Sequence, residues 1–310
     1  MSVRAWTCFA LVSTLWGIPY LFIKVAVDGG VPPAFLAWSR VTLGAAVLLV
    51  LARRAGKLRG FGGRWRWVAM YAVFEIVIPF PLIPAGEQRI SPSLAAIIIA
   101  AVPIFVALLA LRFDHAERAT GRRLVGLMVG LAGVVALVGI DVAGNARELL
   151  GAAAVGVAAF GYAVGPMVYK RKLVDLDPRA AMGVSLAVAS LMLAPAAAVA
   201  PPSVTPSGAA LMSIGVLGLL CTAAAFVFMA MLVADVGPGR ALVITYVTPV
   251  VAVALGVAVL GESVGPGAVA GLLLILAGSW LSTDGRLPPG LTAILDRRRR
   301  SDVIDGPSRA

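Results

Sequence analysis

Charged residues are scarce in this sequence: Asp, Glu, Lys and Arg make up 13% of its 310 residues, whereas hydrophobic residues make up 60%. The mean hydropathy of +0.98 lies far above the range of water-soluble domains. Polar groups this scarce cannot cover the surface of a chain of this length. Most of that surface must therefore face lipid. The composition therefore excludes an ordinary soluble enzyme or binding domain.

Residues that perform catalysis or bind metals are also few. The two cysteines, Cys8 and Cys221, both lie in apolar runs, where neither a disulfide framework nor a metal site is expected. The one histidine, His115, lies in a predicted loop, where we expect contact with solvent or lipid. Zinc-protease, serine-hydrolase and phosphate-loop motifs are all missing. We expect no enzyme activity, no cofactor and no metal site, and a primary ATP-driven pump is disfavoured.

The chain contains many long apolar runs. Ten of them have about 17 to 25 residues, the length that an α-helix needs to cross a bilayer. They do not alternate apolar and polar residues, which argues against the strands of a membrane barrel. We predict an all-α integral membrane protein with ten transmembrane helices, near residues 5–27, 34–52, 65–83, 93–111, 124–140, 149–169, 181–200, 208–234, 241–260 and 266–283.

The basic residues are distributed unevenly between the two sides of the membrane. If the loops alternate, 22 Lys and Arg residues fall on one side, and only Lys24, Arg89 and Arg147 fall on the other. Because basic loops stay in the cytoplasm, we predict a multi-pass protein of the plasma membrane with both termini cytoplasmic. The net charge of +11 lies in these loops, which favours contact with anionic lipid and not with nucleic acid. The excess of Arg over Lys is typical of a GC-rich bacterial genome.

The two halves of the chain resemble each other at an offset of about 145 residues. Pro103 aligns with Pro249 and Glu117 with Glu262, and the glycines that follow each Glu are spaced alike. Because five helices is an odd number, the second half must enter the membrane inverted, with the substrate site between the halves. The alternative is a chance match between apolar sequences. We predict inverted five-helix repeats at 1–140 and 147–283, followed by a basic cytoplasmic tail at 284–310 that we expect to be disordered.

Several short motifs occur in a characteristic order. The first half contains Leu15-Trp16-Gly17, Lys24, Pro33, Phe35, Arg40, Gly86-Glu87-Gln88 and Ser93, and the second contains Gly237-Pro238, Arg240-Ala241, Tyr246, Pro249 and Gly261-Glu262. In these residues the chain resembles the EamA family of the drug/metabolite transporter superfamily over residues 5–283. The resemblance implies ten helices in two inverted repeats, cytoplasmic termini and alternating access, but no particular substrate. The chain departs from the family at Cys221-Thr222, where a Gly-Thr pair is common.

Two charged residues lie deep within the predicted helices. Arg40 is the only deep basic residue and Glu75 the only acidic residue that we place deep in a span. Each costs about 3 kcal/mol or more in hydrocarbon, so each needs a reason to be there. From the helix ends, Arg40 lies roughly 9 Å and Glu75 roughly 12 Å below the outer surface. We predict that they interact, either as a structural ion pair or in substrate or proton handling.

Aromatic and hydroxyl side chains at similar depth are the candidate substrate contacts, because they combine a flat apolar face with one hydrogen-bonding group. They are Trp16, Tyr20, Tyr162, Thr245 and Tyr246, and for each the alternative is core packing or lipid contact. Among the prolines within predicted helices, the repeat-related Pro103 and Pro249 are the hinge candidates. We expect the loop residues Glu117 and Glu262 to cap helices or contact backbone amides.

These features favour a secondary transporter that moves a small metabolite, amino-acid-like or weakly polar, by alternating access and in the direction of efflux. Two alternatives stay open: a non-transporting membrane protein or lipid scramblase, and a passive channel. A channel is disfavoured because ion pores line themselves with rings of one charge. The solute, the coupling ion and the oligomeric state are left open by the sequence.

Overall fold

The computed structural model describes residues 2–113, 121–137, 144–236, 241 and 244–282, and within these ranges its regular secondary structure is entirely helical. In chain order the elements are α1 (Val3–Gly17), α2 (Pro19–Asp28), α3 (Pro33–Arg54), α4 (Trp65–Ala72), the π-helix π1 (Val73–Val77), α5 (Pro79–Glu87), α6 (Pro92–Ile99), α7 (Val102–Phe113), α8 (Arg122–Leu137), α9 (Ala146–Lys172), α10 (Pro178–Val199), α11 (Gly208–Gly215), the π-helix π2 (Val216–Ala224), α12 (Ala225–Val236), α13 (Ile244–Leu260) and α14 (Pro266–Ser282).

Joined end to end, these elements form seven helical segments that are long and apolar enough to cross a membrane: Val3–Asp28, Pro33–Arg54, Trp65–Glu87, Pro92–Leu109, Ala146–Lys172, Pro178–Val199 and Gly208–Val236. Three shorter apolar helices cover Leu124–Leu137, Ile244–Leu260 and Pro266–Leu281. The predicted all-α membrane fold is confirmed, whereas the count of ten spans stays a prediction. The third segment ends at Glu87 and not at residue 83, so it includes an additional carboxylate.

Side-chain caps explain where several segments begin. The hydroxyls of Ser91 and Ser207 accept hydrogen bonds from the amides of Leu94 and Ala210, both at 3.2 Å. The amide oxygen of Asn145 caps α9 in the same way. Such residues satisfy helical N–H groups that have no partner within the helix. The chain therefore starts these helices at defined positions.

Several long segments are interrupted, and two interruptions are π-helical. π1 lies in the third segment of the first half and π2 in the corresponding segment of the second half, at about the offset of the predicted repeat. A π-helix holds more residues per turn than an α-helix, so the residues beyond it are rotated about the axis. Each π-helix therefore changes which side chains its segment presents to its neighbours.

Helices of the two halves pack against each other in antiparallel pairs, among them α3 with α10 and α8 with α14. In the first pair the hydroxyls of Thr42 and Ser190 are 2.7 Å apart. In the second, Gly133 and Gly271 leave no room for a Cβ atom against the facing helix. Glycine permits this close approach of backbones. The largest buried cluster joins side chains of both halves, so the core lies between them.

Candidate functional site

Arg40 is the centre of the buried polar site. Its side chain extends from α3, and the residue is only 7% exposed. Its Nη2 donates to the hydroxyl of Thr222 at 3.3 Å, and its guanidinium carbon lies 4.3 Å from the ring centroid of Phe80. Nε has no hydrogen-bond partner among the described residues. Arg40 is therefore positioned by both halves of the chain and keeps one donor free.

Thr222 occupies the π2 segment, which explains its orientation. Its hydroxyl donates to the carbonyl of Leu217, five residues earlier, at 2.8 Å. With the proton used in this way, the oxygen accepts from Arg40. The sequence singled out Cys221-Thr222 only as a departure from the family pattern, and the structure shows that Thr222 contacts the deep arginine.

Glu75 lies in π1 and points elsewhere. Its carboxyl packs against Gly165 of α9, where an added Cβ atom would overlap its oxygen. Oε2 has no hydrogen-bond partner among the described residues, and no ion pair with Arg40 occurs there. The predicted pairing of Arg40 with Glu75 is therefore wrong in this structure. Similar depth did not bring the two together, because the π-helical turn directs Glu75 towards α9.

Glu87 is a buried carboxylate that the sequence analysis missed. It is the last residue of α5, it is 1% exposed, and neither carboxyl oxygen has a hydrogen-bond partner among the described residues. It lies in the electrostatic fields of Glu262, Lys24 and Arg40, in decreasing order of strength. The prolines at 79, 81 and 84 made the end of this helix look like a loop, but α5 continues through Pro84. The charged residue next to Gly86 was the available signal.

The aromatic candidates fall into two groups. Tyr20 is 6% exposed, and both it and the half-buried Tyr162 lie in the field of Arg40. Trp16 instead packs edge-on against Phe226, with ring centroids 5.7 Å apart. Tyr246 joins the same apolar cluster as Trp16.

A hydrogen bond fixes the position of Tyr246. Its hydroxyl donates to the carbonyl of Ser279 at 3.1 Å, and the neighbouring Thr245 is partly exposed. The structure therefore brings Tyr20 and Tyr162 together near Arg40 and places Trp16 and Tyr246 in a different cluster.

The two hinge candidates differ in their surroundings. Pro103 follows a break between α6 and α7, and the hydroxyl of Ser279 donates to the Ala100 carbonyl there at 3.4 Å. Pro249 lies inside the continuous helix α13. The prediction that both act as hinges therefore stays a prediction, with a visible helix break only at the first.

Glu262 caps a helix, as predicted. One of its carboxyl oxygens accepts from the amide of Ser93 at 3.1 Å and also from the Ser93 hydroxyl. Ser93 lies in the first turn of α6, so a carboxylate there meets the positive end of the helix dipole. The predictions for Glu117, His115 and the tail at 284–310 lie outside the described residues.

Two ion pairs connect the ends of helices from different halves. Arg64 and Asp175 approach to 2.5 Å between the loops that follow α3 and α9, and Arg4 lies 3.6 Å from Asp235 of α12. The Arg64 guanidinium beside Asp175 lowers the pKa of that exposed carboxyl below its usual value. No cluster of three potential metal ligands occurs in the part of the chain that the structure describes.

Comparison with known proteins agrees with this architecture. The sequence profile of the EamA-like transporter family matches the chain over residues 4–139 and again over 149–283. The chain belongs to this family. The names of the family and of similar proteins indicate a membrane transporter rather than an enzyme.

Several similar proteins are named as transporters. The chain is 28% identical to "Uncharacterized inner membrane transporter YedA" of Escherichia coli K12, over 80% of each protein. It is 26% identical to the E. coli "Probable amino-acid metabolite efflux pump", over 92% of this chain and 96% of that protein. Protein PagO of Salmonella typhimurium is 32% identical over 43% of this chain and 42% of its own length. A solved crystal structure, 21% identical, matches 90% of the chain with a TM-score of 0.65, which supports the fold alone.

Proposed function

We propose that the protein is a secondary carrier that exports a small zwitterionic or weakly polar metabolite by alternating access. Membership of a transporter family supports a carrier, and the efflux pump among its relatives supports export. The observation that carries the proposal is the hydrogen bond between Arg40 and Thr222, because it places a buried, incompletely paired charge between the two halves. A solute bound there contacts both bodies that alternating access moves.

The substrate class follows from the charges of the site. A multiply charged anion needs several unpaired basic groups at mid-depth, and Arg40 is the one buried basic side chain among the described residues. Tyr20 and Tyr162 add apolar surface with hydroxyl groups. Trp16, Thr245 and Tyr246 are retained as candidate contacts in other conformations of the cycle. Pro103 and Pro249 are proposed as the hinges.

The proposed topology has ten spans in two inverted repeats, at 1–140 and 147–283, with both termini cytoplasmic. Two successive family matches support the repeats. The ion pairs Arg4 to Asp235 and Arg64 to Asp175 support the orientation, because each joins chain ends that the charge distribution places on one side. The basic loops on that side are proposed to contact anionic lipid. Reporter fusions after Arg59 and after Arg300 should both report cytoplasm, and a periplasmic signal from either contradicts the topology.

Glu75 is proposed as the group that carries a coupling proton. Its residue is half-buried, and its Oε2 is buried beside Gly165 without a hydrogen-bond partner among the described residues. A carboxyl in such surroundings exchanges a proton more readily than it holds a permanent charge. Exchange of this proton against substrate would couple export to the proton gradient.

Flux into proteoliposomes tests the carrier and its coupling. Purified protein is reconstituted and a panel of labelled neutral amino acids, sugars and a multiply charged anion is followed with and without an imposed pH gradient. We expect saturable flux of a zwitterionic solute that the gradient stimulates in wild type and not in Glu75→Gln. Unsaturable flux indicates a channel, and lipid exchange without solute flux indicates a scramblase. Wild-type flux that is independent of the pH gradient contradicts proton coupling. Robust transport of the multiply charged anion contradicts the proposed substrate class.

A further inference from the structure

The segment that holds Glu75 packs against α9 in an antiparallel register. Both α4 and π1 contact α9. Each step along the register moves by about one helical turn towards the loops that the proposed topology places in the cytoplasm. Four pairs of side chains mark it, in order from Glu75 to those loops: Glu75 with Gly165, Tyr71 with Tyr169, Trp67 with Lys172, and Arg64 with Asp175.

Polar side chains along this interface become more exposed towards the loops. Oε2 of Glu75 is buried and has no hydrogen-bond partner among the described residues. Tyr71 is 5% exposed, Tyr169 is half-buried and Asp175 is exposed. The interface therefore leads from a buried carboxyl oxygen to the surface through two tyrosines.

The two tyrosines lie one turn below the Glu75 carboxyl, on the two facing helices. Tyr71 precedes Glu75 by four residues and Tyr169 follows Gly165 by four, a spacing that places each pair near one face, about 6 Å apart along the axis. The rings of Tyr71 and Tyr169 are 5.6 Å apart between centroids. Tyr71 also lies in the electrostatic field of both Glu75 and Tyr169. The tyrosine pair thus occupies the interface between the carboxyl and the loops.

A phenol suits this position for a chemical reason. A pair of phenylalanines would pack equally well, and it would bury no hydroxyl group. A tyrosine hydroxyl can accept one proton on a lone pair while it releases its own, so it passes a proton on without becoming charged. Tyr162, on the other side of Gly165 along α9, instead lies in the fields of both Glu75 and Arg40. Glu75 therefore has a tyrosine towards the buried polar site and a tyrosine pair towards the cytoplasm.

We propose that Tyr71 and Tyr169 form the route by which the proton of Glu75 reaches the cytoplasm. This route rests on the proton coupling proposed above and names its path. The Glu75 carboxyl gives its proton to the Tyr71 hydroxyl, which releases its own to the Tyr169 hydroxyl. Tyr169 in turn releases a proton to water at the cytoplasmic surface. Glu75 is left as a carboxylate and both tyrosines are left neutral.

Two ionised carboxylates lie at the end of this route. Tyr169 is in the electrostatic field of Asp177 and Asp175, both in the loop that follows α9. A hydrogen bond from Arg64 lowers the pKa of Asp175. One from Arg179 lowers the pKa of Asp177 in the same way. Negative charge at this position attracts a proton that leaves Tyr169.

Two kinds of flux in the proteoliposomes described above test the route. The probes are the proton itself, reported by pyranine trapped in the vesicles, and the labelled panel solute that wild type transports fastest. Flux driven by a pH gradient requires a proton to leave Glu75 in every cycle. Exchange of labelled for unlabelled solute at equal pH does not, because the carrier then returns with solute and Glu75 keeps one protonation state.

Tyr71→Phe and Tyr169→Phe remove each hydroxyl and keep its ring. Each should lower gradient-driven solute flux and proton movement by about tenfold or more, since a positioned proton-transfer group contributes at least that factor. Exchange at equal pH should stay at the wild-type rate. Ser190→Ala is the matched control, because it removes a hydroxyl from another contact between the halves, that with Thr42. It should behave as wild type in both measurements.

The outcomes separate the route from the coupling on which it rests. If wild type responds to the gradient and folded Tyr71→Phe or Tyr169→Phe responds equally, the route is wrong and proton coupling stands, because the proton must pass both hydroxyls. If exchange falls together with gradient-driven flux, the hydroxyls serve the movement of the halves, and the route is again wrong. Should one variant not fold, the other decides. If wild-type flux is independent of the gradient, or if no panel solute moves, the coupling and the route are both wrong.

Discussion

The segment Trp65–Glu87 contains two carboxyls in contrasting surroundings, the half-buried Glu75 and the buried Glu87. Glu75 packs against the backbone of Gly165, with the tyrosines of its vicinity as its only titratable neighbours among the described residues. Glu87, twelve residues further along the chain, lies in the fields of Glu262, Lys24 and Arg40. The same amino acid can therefore serve two purposes on one helix. An isolated carboxyl is suited to exchanging a proton, and one near a cation is suited to binding a charged ligand.

The largest expected effect comes from Arg40, through a pair of double-mutant cycles. Arg40→Gln removes the bond to Thr222 and the cation over Phe80, so it should lower solute flux by about a hundredfold or more. The Arg40→Gln and Glu87→Gln effects should be less than additive, with a coupling of about 0.5–3 kcal/mol. Those of Arg40→Gln and Glu75→Gln should add within about 0.5 kcal/mol, because the two residues do not touch.

These cycles are measured as ratios of apparent affinity in vesicles that contain equal amounts of folded protein. Arg66→Gln is the control, because this exposed arginine also lies over an aromatic ring, that of Trp67, at 4.8 Å. Strong coupling of Arg40 to Glu75 would show that Glu75 is not electrostatically isolated from Arg40. It would restore the ion pair that the sequence predicted.

The next effect concerns the contact that holds Glu75. Gly165→Ala should destabilise the protein by about 1–3 kcal/mol, since the added methyl group overlaps the carboxyl. Thermal unfolding in detergent measures it. Gly156→Ala, on the same helix α9, is the matched control: nothing lies within 4 Å of a Cβ atom there, so it should be neutral or slightly stabilising. Equal losses at both positions contradict the packing of Glu75 against Gly165.

The spans and the site were not equally predictable from the sequence. Runs of apolar residues predict membrane helices because length and hydrophobicity are all that a bilayer requires. The same count predicts the depth of Arg40, but depth does not specify direction. Each α-helical residue turns the side chain by about 100 degrees, and the unforeseen π1 rotates Glu75 away from Arg40. Contacts across the halves, such as that of Arg40 with Thr222, depend on these rotations and on packing.

Glu87 shows the second limit of prediction. Prolines within a run normally predict the end of a helix, because each removes a backbone donor. In α5 the three prolines are tolerated, and the helix continues until the buried carboxyl. A membrane segment tolerates such breaks where neighbouring helices pack against it, and α3 and α9 both contact α5. That tertiary support is not visible in the local sequence.

The smallest expected effect belongs to Asp175. Its exposed carboxyl is the reference with which the carboxyls of Glu75 and Glu87 are compared. Arg64 lowers its pKa in the folded protein, so the pair contributes stability above the usual pKa of an aspartate and loses it as the pH falls through the lowered value. Asp175→Asn should therefore flatten the thermal stability of the protein between about pH 5 and pH 3 and change it little at pH 7. Because this pair joins the loops of opposite halves, the variant should also alter transport rates more than Asp28→Asn, whose partner Lys24 lies on the same helix. Equal effects of the two substitutions on transport would mean that the Arg64 to Asp175 pair plays no part in the movement of the halves.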